Sequence, residues 1–274
     1  MYYRHELDYD YPESSDEHML KVKKVREMKF DESYPYMPRG IFYKLLRCVY
    51  WILLTLIVFP ITHLTHGLRI YGKKNLKKHR KALKGGAISI SNHVFMWDYL
   101  CVLKAIRPRL AYFPVWKTNL EGSLAPFIRL SGGIPVPTDT VHAMIKFNKA
   151  IEGVLEDGKW LHFFPEGSLW FFYPDIRPLK KAVFRYAVKY DKPIVPITMS
   201  FRPRPKIMRI FGKTPFIDLH IGEPLFPDNT LTAHEAEEKL HKDAYHIMQV
   251  MNGINPEDPT YNEDQNISHY KKTM

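Results

Sequence analysis

The chain has 274 residues, 45% of them hydrophobic and 25% charged, with 40 Lys+Arg against 29 Asp+Glu. That balance excludes wholesale disorder, a collagen-like repeat and a polytopic membrane bundle. Its two cysteines, Cys48 and Cys101, exclude a disulfide scaffold and a four-cysteine zinc site, and favour a reducing compartment.

Charge is distributed unevenly. Residues 1–40 carry a net −2 and the remainder a net +13. A basic body attracts phosphate, in nucleic acid, anionic lipid or a small molecule. Residues 1–40 are polar and Tyr-rich, are punctuated by Pro12, Pro35 and Pro38, and read as an arm with a short helix around 18–29. The start lacks a basic stretch leading into an apolar run, so no secretory signal is expected.

Residues 41–69 are different. None of residues 48–68 is Lys, Arg, Asp or Glu, and the densely apolar part, 49–61, contains Pro60. A helix of about 16 residues rises roughly 24 Å, short of a roughly 30 Å hydrocarbon core. The flanks are interfacial in character: Tyr43, Lys44, Arg47, Tyr50 and Trp51 before, His63, His66, Arg69, Lys73 and Lys74 after. The reading is a monotopic or re-entrant membrane anchor, with a buried core helix and a true span as alternatives.

From residue 70 strands and helices alternate. Strands are expected at 87–90, 110–115, 160–164, 194–201 and 216–221. Helices are expected at 99–106, stopped by Pro108, at 142–155, ending at Gly158, at 180–189, and from a Thr232–Glu235 capping box to about 251. This pattern implies an α/β domain over 70–253, with a central mixed, largely parallel sheet flanked by helices. A polar tail follows at 254–274. Its Asn266-Ile267-Ser268 glycosylation match is discounted for want of a secretion signal.

The candidate centre is Ser91-Asn92-His93-Val94-Phe95-Met96-Trp97-Asp98, which follows a strand where α/β folds place active groups. A neutral imidazole accepts a proton from an attacking hydroxyl, and a carboxylate fixes its tautomer and stabilises the imidazolium. Residues five apart on an ideal helix lie about 140° apart. The pair therefore works only if His93 sits in the strand-to-helix turn and Asp98 in the first helical turn. The spacing alone is uninformative, since His5 and Asp10 repeat it in the arm. A second cluster, Phe163-Phe164-Pro165-Glu166-Gly167-Ser168, delivers a carboxylate and a glycine into a turn whose N–H groups can face an oxyanion or phosphate. Lys117, the Gly132–Pro137 run and Ile194-Val195-Pro196-Ile197 complete the set.

In this order the clusters resemble the glycerolipid acyltransferase family, whose best-known members are 1-acylglycerol-3-phosphate acyltransferases. The resemblance spans about 87–224. Asn92-His93-x4-Asp98 is similar to the family's first motif, Gly133-Ile134-Pro135-Val136-Pro137 to its second, Phe164-Pro165-Glu166-Gly167-Ser168 to its third and Val195-Pro196-Ile197 to its fourth. It implies acyl transfer from acyl-CoA or acyl carrier protein, as co-substrate, to a lipid hydroxyl at the cytoplasmic face of a membrane. His93 would be the general base and Asp98 its orienting partner. Glu166, Gly167, Ser168, Lys117 and Arg177 would bind the acceptor, with Lys117 also available to the oxyanion. No metal, further cofactor or serine nucleophile is expected.

The second and third motifs usually end in arginine, and here Thr138 and Leu169 stand there. Arginine is the natural bidentate ligand for phosphate. Arg129, Arg177, Lys180 and Lys181 are the substitutes at hand, and an acceptor without phosphate is the alternative, as is a non-catalytic lipid-binding protein. Trp170-Phe171-Phe172-Tyr173 would form an acceptor wall, a membrane loop or core packing. A nucleic-acid binder is disfavoured, because no such motif is present and the apolar 49–61 run would have no role.

Overall fold

The computed structural model describes residues 9, 11–14, 17–20 and 22–254. The His5–Asp10 pair and Asn266 lie outside the described residues. In chain order, α1 (Ile41–Leu53) and α2 (Phe59–His66) lead into β1 (Arg69–Tyr71), α3 (Lys73–Lys78), β2 (Ala87–Ser91), α4 (Asp98–Ala105) and β3 (Ala111–Trp116). Next come α5 (Lys117–Glu121), α6 (Ala125–Ser131), β4 (Gly133–Val136), α7 (Val141–Glu156), β5 (Trp160–Phe163), α8 (Ala182–Lys189), β6 (Ile194–Arg202), β7 (Phe216–Ile221) and α9 (Ala233–Met251).

The strands form one sheet in the order β1-β7-β6-β2-β5-β3-β4, parallel throughout except for the antiparallel β6–β7 pair. The expected mixed, largely parallel sheet is thus present. Pro135 is compatible with β4 because that strand is the sheet's edge, where a missing N–H leaves no ladder bond open. The period-2 alternation of strands sorts side chains into two layers. Ile88, Ile90 and Leu161 face Phe147, Phe184, Leu240 and Met248 of α7, α8 and α9. Ala87 and Trp160 face Tyr50, Leu54, Phe59 and the apolar side of α4. The capping box forms as expected, with Thr232 and Glu235 each accepting from the other's backbone N–H.

Helices α1 and α2 are one continuous helix of 26 residues, Ile41–His66, and the one among the described residues long and apolar enough to cross a membrane. It is longer than the sequence suggested because Pro60 does not end it. A π-helical turn at Leu54–Val58 precedes the proline, and the Phe59 N–H reaches back to the Leu54 carbonyl. That widened turn absorbs the donor that proline lacks. One side packs on the domain: Arg47, Tyr50, Leu54, Phe59 and Thr62 are buried. Tyr50 Oη meets Ser131 Oγ at 2.5 Å, Arg47 Nε donates to the Leu130 carbonyl at 3.2 Å, and Lys104 Nζ donates to the Phe59 carbonyl at 2.9 Å. The other side is an apolar stripe open along the whole length, from Phe42 (77% exposed) through Leu45, Val49, Ile52 and Leu56 to Leu64 (63%).

The arm departs from expectation. No helix forms among the described residues of 18–29. Its backbone donors go to other segments instead: Met19 to Leu169, and Val25 and Arg26 to Glu121. Trp170 Nε1 donates to the Glu17 carbonyl and the His18 ring stacks on Trp116 at 4.6 Å. Bonds to the domain replace the local bonds a helix would need.

Candidate active site

Strands β2 and β5 are direct parallel neighbours, so the residues leaving their carboxyl ends emerge side by side. This is how His93, two residues after β2, meets Glu166, three after β5. Asp98 opens α4, and His93 lies in the turn before it, the arrangement the spacing required. His93 Nδ1 and Asp98 Oδ2 are 2.6 Å apart. Asp98 is fully buried, and its Oδ1 has no hydrogen-bond partner among the described residues. A buried carboxylate so sparsely paired gains most when the imidazole beside it becomes positive. With Nδ1 committed to Asp98, Nε2 is the nitrogen left for a substrate proton. The imidazole is stacked on Phe164 at 4.1 Å, which fixes its plane.

Asn92 and His162 are contributors that the sequence reading did not assign. Asn92 Nδ2 donates to the Met199 carbonyl at 2.9 Å and its Oδ1 accepts from the Met199 N–H at 2.8 Å. The side chain thereby extends the β2–β6 ladder by one rung and anchors the His93 turn. His162 is buried between Ser89 Oγ (3.0 Å from Nδ1) and Ser91 Oγ (3.3 Å from Nε2). Burial, followed by the nearby His93, holds it down at about 3, so it is neutral at neutral pH. A histidine inside the apolar strand Trp160–Phe163, on the same face as two serines of the neighbouring strand, was the available signal.

The third motif packs against the His93 turn. Glu166 is 1% exposed and points inward. Its Oε2 accepts from the His93 N–H at 3.0 Å and from Arg177 Nη2 at 2.8 Å, and its Oε1 accepts from the Arg177 N–H at 3.0 Å. Arg177 is itself 1% exposed, donates through Nη1 to Ser168 Oγ at 2.9 Å and through Nη2 to the Ser168 carbonyl, and lies 4.4 Å over the Trp170 ring. Glu166, Ser168 and Arg177 are thus buried and bonded to one another and to the His93 turn. They fix the loop that fixes His93. Two further backbone bonds do the same: Trp170 N–H to the His93 carbonyl at 3.0 Å and Phe172 N–H to the Val94 carbonyl at 2.7 Å. Trp170, Phe172 and Tyr173 are buried, so this run is core packing in its main part.

Gly167, at φ +89°, already donates its N–H to the Phe164 carbonyl at 3.0 Å, so this donor is not open to an oxyanion. A Cβ there would lie 2.8 Å from Lys180 Cε and Nζ, so the absent side chain leaves room for that lysine. Lys117 opens α5 after β3, and its Nζ sits 2.5 Å from Asp139 Oδ1, a hydrogen bond that holds the Asp139 carboxyl below its usual range. In the structure its partner is that carboxylate. Of the other substitutes, Arg129 donates to the Gly133 and Pro35 carbonyls, Lys181 pairs with Glu238 at 2.5 Å, and the Lys180 side chain packs at the third-motif turn.

No curated protein matches the chain. Among solved structures it is similar to the 1-acyl-sn-glycerophosphate acyltransferase PlsC of Thermotoga maritima, at 20% identity and a TM-score of 0.48, covering 77% of this chain and 84% of that one. The family model described as Acyltransferase matches residues 67–200, a stretch that takes in the ends of β2 and β5 with both motifs and most of β6. By that match residues 67–200 form an acyltransferase-family domain.

Proposed function

We propose that this acyltransferase moves a fatty acyl group from acyl-CoA or acyl carrier protein to the hydroxyl of a lysophospholipid, with 1-acyl-sn-glycerol-3-phosphate as acceptor and phosphatidate as product. The observation that carries the reading is the 2.6 Å contact between His93 Nδ1 and a wholly buried Asp98. The acceptor hydroxyl gives its proton to His93 Nε2 as its oxygen attacks the thioester carbonyl. The C–O bond forms, the C–S bond breaks, and the imidazolium returns the proton to the departing thiolate. Asp98 stabilises that imidazolium without taking the proton. Glu166, Arg177 and Asn92 act on the chemistry only by positioning the His93 turn.

Lys180, packed on Gly167, is the cation best placed to receive the acceptor's phosphate. The Ile41–His66 helix, fastened to the domain on one side and apolar on the other, supports an interface-lying anchor over a span. A second reading, an acceptor without phosphate, is favoured by Thr138 and Leu169 at the two arginine positions and by the commitment of Arg177 to Glu166. Membranes supplied with labelled acyl-CoA and a panel of lysolipids decide between them, with the product identified by mass spectrometry. Labelled phosphatidate supports the first reading, and label only in a phosphate-free lipid replaces it with the second. Label in neither, from a folded protein, removes both.

A further inference from the structure

A cavity of about 930 Å³ lies at the opposite pole of the sheet from His93. It opens beside the residues that precede β3 and β5, at the strands' amino ends: Arg109 and Leu110 on one side, Gly158 and Lys159 on the other. Nine lysines and arginines line it and no aspartate or glutamate does. Lys77, Arg80, Lys81, Lys84 and Arg107 stand exposed around it, and none of them forms an ion pair among the described residues. Leu76, Leu83 and Trp160 supply an apolar floor.

One lining group stands out. Arg47 is 8% exposed, and its Nη2 is buried with no hydrogen-bond partner among the described residues. Its Nε goes to the Leu130 carbonyl and its Nη1 to Tyr112 Oη, and the guanidinium lies 4.1 Å over the Tyr112 ring. No carboxylate among the described residues is paired with it. A buried cation without a counter-charge is costly unless an anion completes it. The ring of like charges outside raises the local concentration of anions.

The surroundings say where the anion comes from. Arg47 belongs to the Ile41–His66 helix, whose outer face is an unbroken apolar stripe. Arg107, another lining residue, lies 5.7 Å over the Phe59 ring of the same helix. The cavity therefore runs alongside that helix. At the helix's other end the His66 ring rests on Phe95, in the turn between His93 and Asp98. We propose that this cavity is a second, non-catalytic lipid site, which takes the phosphate-bearing headgroup of an anionic membrane lipid on Arg47 and the basic rim. The apolar stripe enters the bilayer surface beside it. The inference does not depend on the acyl-transfer reading.

The test is vesicle co-flotation of the full chain, on phosphatidylcholine alone and on phosphatidylcholine mixed with phosphatidylglycerol. Each basic residue near an anionic surface contributes about fivefold in binding. Neutralising three rim residues together (Lys77→Gln, Arg80→Gln, Lys84→Gln) is expected to weaken binding to the mixed vesicles on the order of 100-fold and to leave binding to phosphatidylcholine unchanged. A control triple on the far layer (Lys146→Gln, Lys149→Gln, Lys242→Gln) is expected to change the mixed-vesicle binding much less. Equal losses for the two triples, or equal losses on the two vesicle types, overturn the site. Arg47→Gln probes the buried cation, with thermal melting to confirm that it folds. If it binds mixed vesicles like the wild type while folded, the headgroup is not held by Arg47 and the proposal fails. Calorimetry with inorganic phosphate alone separates a soluble ligand from a lipid. Saturable phosphate binding without any preference for anionic vesicles overturns the lipid assignment.

Discussion

The two poles of the sheet handle buried charge in opposite ways. At the carboxyl ends Arg177 and Glu166, both 1% exposed, neutralise each other at 2.8 Å, and they bond to Ser168 and to the His93 turn. At the amino ends Arg47 is nearly as buried, yet no carboxylate among the described residues answers it. The difference separates structural charge from functional charge. A compensated buried pair specifies a backbone conformation, and removing one partner strands the other. An uncompensated one is a standing attraction for something outside the chain. The Asp98 carboxylate, with one oxygen on His93 and one without a partner among the described residues, belongs with Arg47 in this respect: on the proposed mechanism its charge is completed by an imidazolium at His93.

The comparison breaks most sharply at His93. His93→Ala is expected to lower turnover by roughly 10²–10⁴, the scale of losing a general base, with the melting temperature preserved. Asp98→Asn should lower turnover as well. Wild-type turnover from a folded His93→Ala protein would end the base assignment.

Next in size is the buried pair. Arg177→Ala is expected to cost about 3–5 kcal/mol of stability, since it leaves Glu166 charged and buried. Chemical denaturation measures it. If Arg177→Ala melts like the wild type and changes only the acceptor KM, then Arg177 is a ligand group and the contrast between the poles is wrong.

A smaller effect comes from His162, held near 3 by burial. Between that value and its ordinary 6.5, the unfolded chain binds a proton that the folded chain refuses. Stability from this group is therefore complete above about 6.5 and falls as pH drops towards 3, by up to about 1.4 kcal/mol per pH unit. Denaturation curves across this range should show a slope that His162→Gln reduces. An identical slope in the folded variant would assign the acid sensitivity elsewhere.

Smallest is the helix cap. Thr232→Ala removes the hydroxyl that accepts from the Glu235 N–H and is expected to cost about 1 kcal/mol, read as a modest fall in melting temperature with turnover untouched.

Much of the chain was legible from local pattern. The strands at 87–91, 160–163, 194–202 and 216–221 and the helices at 98–105, 141–156 and 233–251 follow from periodicity, caps and breakers, which act over a few residues. So did the condition on His93 and Asp98, because five residues of separation leave few geometries in which the two side chains meet. Short elements escaped: α3 is a six-residue helix of mostly lysines, and β4 holds a glycine and a proline. Neither carries a propensity signal, and contacts made elsewhere hold both.

What the sequence determined by itself is which residues leave the ends of strands with chemistry attached: His93, Asp98, Glu166, Lys117. Which of these face a ligand was decided only by the tertiary structure. Glu166 and Arg177 are eleven residues apart and look like two polar groups in a loop; packing buried both and turned them on each other. Lys117 was taken by Asp139, twenty-two residues away. Arg47 read as an interfacial flank until the helix was laid against β3 and α6, where it became a buried cation lining a basic cavity. Local sequence fixes which groups are charged. Only the folded chain fixes which charges have been cancelled, because cancellation depends on partners brought together across the sheet.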